Sequence, residues 1–182
     1  GNGGCAADFD NDGDHDLFAT NWGSSRLFEN DGLGRFVDVT TRARVGDLSP
    51  SERSMGCAWG DYDLDGDVDL IVVRHVDDSD LLAFQTRRFE SAVKRLALYQ
   101  NNSDGTFDDA TALLGAVEPP IDIREDGISA IYGAGFQPVW VDIDNDGDPD
   151  LYVCNDFGDE IQPNRLWVND GDGTFTDVSE AS

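Results

Sequence analysis

A nine-residue aspartate pattern occurs three times and constrains this chain more than any other feature. The copies are Asp8-Phe9-Asp10-Asn11-Asp12-Gly13-Asp14-His15-Asp16, Asp61-Tyr62-Asp63-Leu64-Asp65-Gly66-Asp67-Val68-Asp69 and Asp142-Ile143-Asp144-Asn145-Asp146-Gly147-Asp148-Pro149-Asp150. Leu17, Leu70 and Leu151 follow them directly. These windows hold 15 of the 31 aspartates, in a chain with only 7 glutamates. A solvated helical face would use Glu, the better helix former, whereas Asp serves turns and metal loops.

Each window sits inside a longer repeat, and internal repeats decide a fold before local propensity does. A short apolar segment precedes it: Cys5-Ala6-Ala7, Cys57-Ala58-Trp59 or Val139-Trp140-Val141. A second follows as Leu17-Phe18-Ala19-Thr20, Leu70-Ile71-Val72-Val73 or Leu151-Tyr152-Val153-Cys154. The third is Arg26–Asn30, Ala97–Asn101 or Arg165–Asn169. After a Gly/Asp-rich turn, the fourth starts on an aromatic and runs over Phe36–Thr40, Phe107–Thr111 or Phe175–Ser179. Short β-branched and aromatic runs punctuated by Asp-Gly turns read as hairpin strands. Four per repeat make an antiparallel meander that must stack on its neighbours to bury both faces. The fold class expected is all-β, with three four-stranded blades of a β-propeller.

Boundaries follow from the repeats. The chain reads as a single propeller segment, 1–182, with repeat 1 at 1–45, repeat 2 at 53–115 and repeat 3 at 134–182. Residues 116–133, with Pro119-Pro120, form a connection. Repeat 2 carries an insertion at about 80–96, where Leu82, Phe89, Val93 and Leu96 recur at helical spacing. It reads as a short surface helix packed as a lid over its own blade. Its basic residues leave docking on an acidic neighbour as the alternative.

Charge narrows the function. Lys and Arg total 12 against 38 acids, a formal net charge of −26. This opposes a phosphate backbone, where affinity comes from cations displacing counterions, so no nucleic-acid partner is expected. No window has the apolar length for membrane insertion. With 39% apolar and 10% aromatic residues the chain is nevertheless a core-former and not a disordered acidic tail.

Alternating aspartates followed by Gly bring several carboxylates around one point. Two such charges 4 Å apart repel by about 4 kcal/mol at an effective dielectric near 20, a term that a hard cation reverses. Calcium suits a flexible all-oxygen site best, and three Ca²⁺ sites are expected. By analogy with the EF-hand loop, positions one, three and five donate side-chain oxygens, position seven its carbonyl, and Gly allows the sharp turn. The loop closes on Asp at position nine. The candidate metal residues are therefore Asp8, Asp10, Asp12, Asp14 and Asp16; Asp61, Asp63, Asp65, Asp67 and Asp69; and Asp142, Asp144, Asp146, Asp148 and Asp150. Positions two and ten (Phe9, Tyr62, Ile143; Leu17, Leu70, Leu151) are expected to anchor each loop in the core.

The pattern D-x-D-x-D-G-x-x-D-L, with the following Asn-Asp-Gly turn and aromatic, resembles the FG-GAP/VCBS repeat of integrin α-subunit propellers and bacterial secreted proteins. Repeat 3, from Val139-Trp140-Val141-Asp142 through Asn155-Asp156-Phe157-Gly158 to Asn164-Arg165-Leu166, is similar to ASPIC/UnbV and cartilage-acidic-protein relatives. The resemblance implies a calcium-stabilised propeller working outside the cell in adhesion or recognition. Three repeats are fewer than the four to eight blades of a closed ring. Repeat 1 also lacks most of its leading segment.

Other chemistry is sparse. Cys5 and Cys57 stand three and four residues before their loops and so face opposite ways on regular strands. With Cys154, they read as buried thiols in preference to a disulfide. His15 and His75 read as solvated, without a catalytic partner at informative spacing. Asn101-Asn102-Ser103 is a lone glycosylation sequon on a turn. A chain that starts without Met or a signal segment is expected of a processed product or an ordered fragment.

The expected function is an extracellular, non-enzymatic calcium-binding module for adhesion, recognition or structural assembly. Its partner would be a protein or glycan ligand, or copies of itself. The alternatives are a self-assembling filament or surface-layer subunit, and a non-catalytic accessory domain of a secreted enzyme.

Overall fold

The computed structural model describes residues 1–46, 53–75, 96–115, 135–156 and 163–179. The expected insertion at about 80–96 and the connection at 116–133 lie essentially outside them.

Blade one contains β1 (Gly3–Ala7), β2 (Asp16–Thr20), β3 (Arg26–Asn30) and β4 (Phe36–Asp38). Blade two contains β5 (Arg53–Gly60), β6 (Asp69–His75), β7 (Leu96–Asn101) and β8 (Phe107–Asp109). Blade three contains β9 (Gly135–Val141), β10 (Asp150–Asn155), β11 (Arg165–Asn169) and β12 (Phe175–Asp177). Each forms a four-stranded antiparallel sheet in sequence order, so the all-β, three-blade architecture holds. The aspartate windows are the connections between first and second strands, pinned by pairs such as Ala7↔Asp16, Gly60↔Asp69 and Val141↔Asp150.

The fourth strands are shorter than the sequence suggests. They stop at Asp38, Asp109 and Asp177, whose carboxylates accept from the main-chain N–H groups of Thr40, Thr111 and Ser179 at 3.1, 3.0 and 3.0 Å. The hydroxyls of those three residues then accept from Leu27, Leu98 and Leu166 of the third strand. A side chain thus takes over the ladder, and the chain turns into the short helix α1 (Thr40–Ala43) or the 3₁₀ turn Thr111–Leu114.

The blades stack in order, with β5 lying between β1 and β9. Two apolar clusters fill the gaps. Between blades one and two, Phe9, Phe18 and Leu27 meet Cys57, Leu70, Val72, Ala97 and Phe107. Between blades two and three, Tyr62, Ile71 and Leu98 meet Leu151, Val153, Trp167 and Phe175. Alternation along each strand therefore buries both faces of blade two.

The anchor positions divide accordingly. Phe9, Tyr62, Leu70 and Leu151 are buried, whereas Ile143 is 49% exposed and Leu17 38% exposed. These two point from the outer faces of blades three and one, where the described residues supply no further blade.

Cys5 and Cys57 form a disulfide, with Cα atoms 5.9 Å apart, which corrects the reading of both as free thiols. They do sit on opposite faces of their own blades. The trailing face of one blade packs against the leading face of the next, so opposite-facing cysteines in successive blades meet. Cys154 is a half-buried free thiol.

Candidate metal centres

Each loop is shaped by two backbone choices. Position four takes the left-handed conformation, at Asn11 (φ 58°), Leu64 (φ 57°) and Asn145 (φ 63°). The glycine at position six follows with φ of 96°, 99° and 102°. No side chain would clash there, so backbone freedom alone calls for Gly13, Gly66 and Gly147.

This path folds position one inward. Asp8 accepts from the N–H groups of Asp12 and Gly13 at 3.0 and 2.9 Å, and Asp61 from Asp65 and Gly66 at 3.0 Å each. Asp142 accepts from Gly147 at 3.2 Å. Position nine closes the loop from beneath. Asp16, Asp69 and Asp150 are buried, and each accepts from two N–H groups: position two of its own loop and the asparagine ending the third strand. Those donors are Phe9 and Asn30, Tyr62 and Asn101, and Ile143 and Asn169, at 2.7–3.1 Å.

Among the described residues three groups bring carboxylate oxygens within 4.8 Å of one another: Asp8, Asp10 and Asp16; Asp61, Asp63 and Asp69; Asp142, Asp144 and Asp150. Positions one, three and nine therefore converge. The position-five residues Asp12, Asp65 and Asp146 lie outside these groups and accept from the N–H groups of Asp14, Asp67 and Asp148 at 2.9–3.0 Å. The side chains of Asp14, Asp67 and Asp148 also stand outside the triads.

Electrostatics mark the triads as cation-seeking. Burial, reinforced by Asp63 and Asp65, pushes Asp69 up to about 7 against its two N–H bonds. Burial also raises Asp16, and it raises Asp10 together with repulsion from Asp16 and Asp12. Asp144 is raised by desolvation and by Asp146. In the second triad, Asp63 Oδ2 accepts from Gln100 Nε2 at 2.7 Å, while its buried Oδ1 has no hydrogen-bond partner among the described residues. An orphaned carboxylate oxygen facing two more carboxylates fits a hard cation, which would satisfy it and cancel the repulsion.

The sequence reading missed the asparagines that end the third strands. Asn101 Nδ2 donates across the interface to Phe9 O at 2.8 Å and, within its own blade, to Val68 O at 3.1 Å. Asn169 Nδ2 repeats this with Tyr62 O at 2.8 Å and Pro149 O at 3.2 Å. The signal is their recurrence as the last residue of the third strand in every repeat. Since Asn101 is the sequon asparagine and its amide is sealed, the folded blade offers no acceptor for a glycan. His15 is exposed as expected, but His75 is not a solvated residue: it is largely covered, with Nε2 3.7 Å from Asp156 Oδ2.

The model of the FG-GAP-like repeat matches residues 8–72, 78–153 and 142–182. No curated protein matches the chain. Among solved structures it is similar to a lectin of Agrocybe aegerita described as specifically recognising non-reducing terminal N-acetylglucosamine. The identity is 19% and the TM-score 0.47, over 96% of this chain and 36% of the lectin. The chain thus spans little more than a third of that protein. Three windows with the same spacing, on three blades of the same construction, agree with the repeat match over most of the length: the chain belongs to the FG-GAP-like repeat family.

Proposed function

We propose that this chain is a calcium-stabilised β-propeller recognition module that works outside the cell and carries no catalytic activity of its own. The observation that carries the reading is the aspartate triad repeated at positions one, three and nine of every blade. In blades two and three its position-nine carboxylate is tied to the asparagine that clasps the preceding blade, so a cation there would rigidify loop and interface together. Calcium is favoured over Mg²⁺ because it accepts six to eight oxygens in flexible geometry, whereas Mg²⁺ demands a near-ideal octahedron and keeps its waters. The Cys5–Cys57 disulfide supports an oxidising, exported setting.

Calorimetric titration of the chelated chain with calcium tests this. Three sites are expected, each adding about 2.7 kcal/mol of stability at 100-fold excess over Kd. A melting temperature indifferent to calcium and chelator would remove the proposal.

A second reading, assembly through further blades or copies of the chain, is favoured by the outer faces. Phe36, at the position of buried Phe107 and Phe175, is 49% exposed on blade one, and Ile143 is equally exposed on blade three. Sedimentation velocity tests it: calcium-dependent self-association supports copies of the chain as the occupants, and a monodisperse monomer excludes them.

A further inference from the structure

The two inter-blade interfaces share one plan and differ sharply at one place. Between blades one and two, Arg42 of α1 reaches over the turn of blade two. Its Nη2 lies 4.0 Å from the position a Cβ on Gly105 would take, and it pairs with Glu29. Beside it, Asn11 Nδ2 donates to Asp67 Oδ1 at 2.5 Å, and the Ser103 hydroxyl donates to Asp67 Oδ2. Both oxygens of Asp67 are therefore satisfied within the chain.

Between blades two and three the equivalent residues supply none of these donors. Leu113 stands for Arg42, Leu64 for Asn11, Gly171 for Ser103 and Gln100 for Glu29, while Asp148 and Asp172 keep the places of Asp67 and Asp104. The Asp148 carboxylate has no hydrogen-bond or ion-pair partner among the described residues. Gly173, the counterpart of Gly105, has nothing within 4 Å of where its Cβ would be. The result is a cleft of about 460 Å³ in which Tyr62, Leu64 and Leu113 line one side and Asp148, Asp172 and Gly173 another. That volume lies in the range of ligand sites.

The geometry points to a binding site for a guanidinium-bearing side chain, an arginine of a partner protein, in this cleft between blades two and three. The ligand supplies to Asp148 from outside the donors that Asn11 and Ser103 supply to Asp67 from within, one blade earlier. A guanidinium offers five donors and no acceptor, which suits a wall of carboxylates, and a bidentate pair with Asp148 gives it direction. Its aliphatic stem packs on Leu64 and Leu113. Guanidinium sheds water more readily than ammonium, which favours arginine over lysine. Asp172 Oδ1 already accepts from the N–H and hydroxyl of Thr174 at 3.1 and 2.6 Å, and a neutral sugar would hydrogen-bond Asp148 without balancing its charge. Asp63 also borders the cleft, but it belongs to its triad, so the site rests on Asp148 and Asp172.

This inference deepens the recognition role proposed above and rests on it. The test is an NMR titration of the full, calcium-loaded chain with N-acetyl-L-arginine amide. N-acetyl-L-citrulline amide, its neutral isostere, and N-acetylglucosamine serve as parallel probes. The arginine probe is expected to shift the amides of Leu64, Leu113, Gly171 and Gly173 saturably, and the citrulline probe to bind about tenfold more weakly or less. Asp148→Asn should weaken the arginine probe by about tenfold. The double variant Leu64→Asn/Leu113→Arg should abolish binding by filling the cleft from within, while its dispersed amide spectrum reports that it is folded. Equal shifts from citrulline, shifts spread over all acidic loops, or N-acetylglucosamine bound here in place of arginine would each overturn the inference. A chain that binds three calcium ions yet ignores the arginine probe fails this inference alone; one that binds no calcium fails the earlier reading.

Discussion

The side-chain amide of Asn101 donates to the main-chain carbonyl of Phe9, joining the third strand of one blade to the metal loop of the blade before it at 2.8 Å. Asn169 and Tyr62 repeat the contact at the same length one interface later. Beneath each bond an aromatic trio packs: Phe9 with Trp59 and Phe107, Tyr62 with Trp140 and Phe175, with ring centroids 5.6–6.4 Å apart. Asn101→Ala would remove the donor to the carbonyls of Phe9, in a buried contact, and Val68, in a part-buried one. Each buried unsatisfied acceptor costs about 1–3 kcal/mol, so a loss of about 2–4 kcal/mol is expected in urea unfolding of the calcium-loaded chain. A loss below about 0.5 kcal/mol, typical of surface positions, would show that the clasp contributes nothing.

The disulfide crosses the same interface and closes a sequence separation of 52. In the chain-entropy account a loop of that length is worth about 4 kcal/mol. Cys5→Ser/Cys57→Ser should therefore lower the unfolding free energy by roughly that amount while leaving three calcium sites countable by titration. Free thiol measured in the denatured, unreduced protein checks the premise: one thiol, from Cys154, is expected, and three would contradict the pairing.

Much of this was legible one repeat at a time. The glycine and aspartate spacing placed the three loops and the strands on either side. What was not legible required knowing how one blade meets the next. Cys5 and Cys57 were placed on opposite faces correctly, yet only the stacking order turns that into a bond. Leu17 and Ile143 share the apolar character of their buried equivalents, and no local signal marks them as outer-face residues. Asp16, Asp69 and Asp150 at position nine are legible as candidate metal residues, and they converge with positions one and three because each opens the second strand, directly under the loop. His75 and Asp156, 81 residues apart, meet only because β6 and β10 lie in neighbouring blades.

Leu64 holds a left-handed backbone at φ 57° where the other loops have asparagine. A side chain branched beyond Cβ gains nothing there, and Leu64 is mostly exposed, so no packing offsets the strain. Asparagine visits this region far more readily. Leu64→Asn is expected to stabilise the chain by about 0.5–1 kcal/mol, with the same sign with and without calcium. A destabilising result in both states would mean that Leu64 makes an apolar contact worth more than the relief of its backbone.

Asp63→Asn should change sign with the metal. Without calcium it removes one charge from a triad of converging carboxylates, and the neutral amide relieves about 1 kcal/mol or more of repulsion. With calcium it removes a ligand, so the count by titration should fall from three to two and the loaded melting temperature should drop. A variant that still binds three ions would exclude Asp63 from the second centre.

The raised Asp69 makes the metal-free chain sensitive to pH in a defined direction. Its folded value is about 7 against an ordinary 3.8, so between those limits the folded state holds a proton that the unfolded state releases. Stability from this group is therefore greatest at the acid end, declines as pH rises through the window, and is fully lost above about 7. Asp38 and Asp177, lowered by hydroxyl and arginine contacts, act oppositely but only below the ordinary carboxylate range. In excess chelator the melting temperature should fall between about pH 5.5 and about pH 8, because the unfolded state binds fewer protons across that span. Calcium reverses the trend. A cation must displace the proton from Asp69, so affinity at the second centre should weaken by up to about tenfold per unit below pH 7. A metal-free chain that grows more stable from pH 5.5 to pH 8, or a calcium affinity flat across that range, would show that Asp69 is ionised throughout.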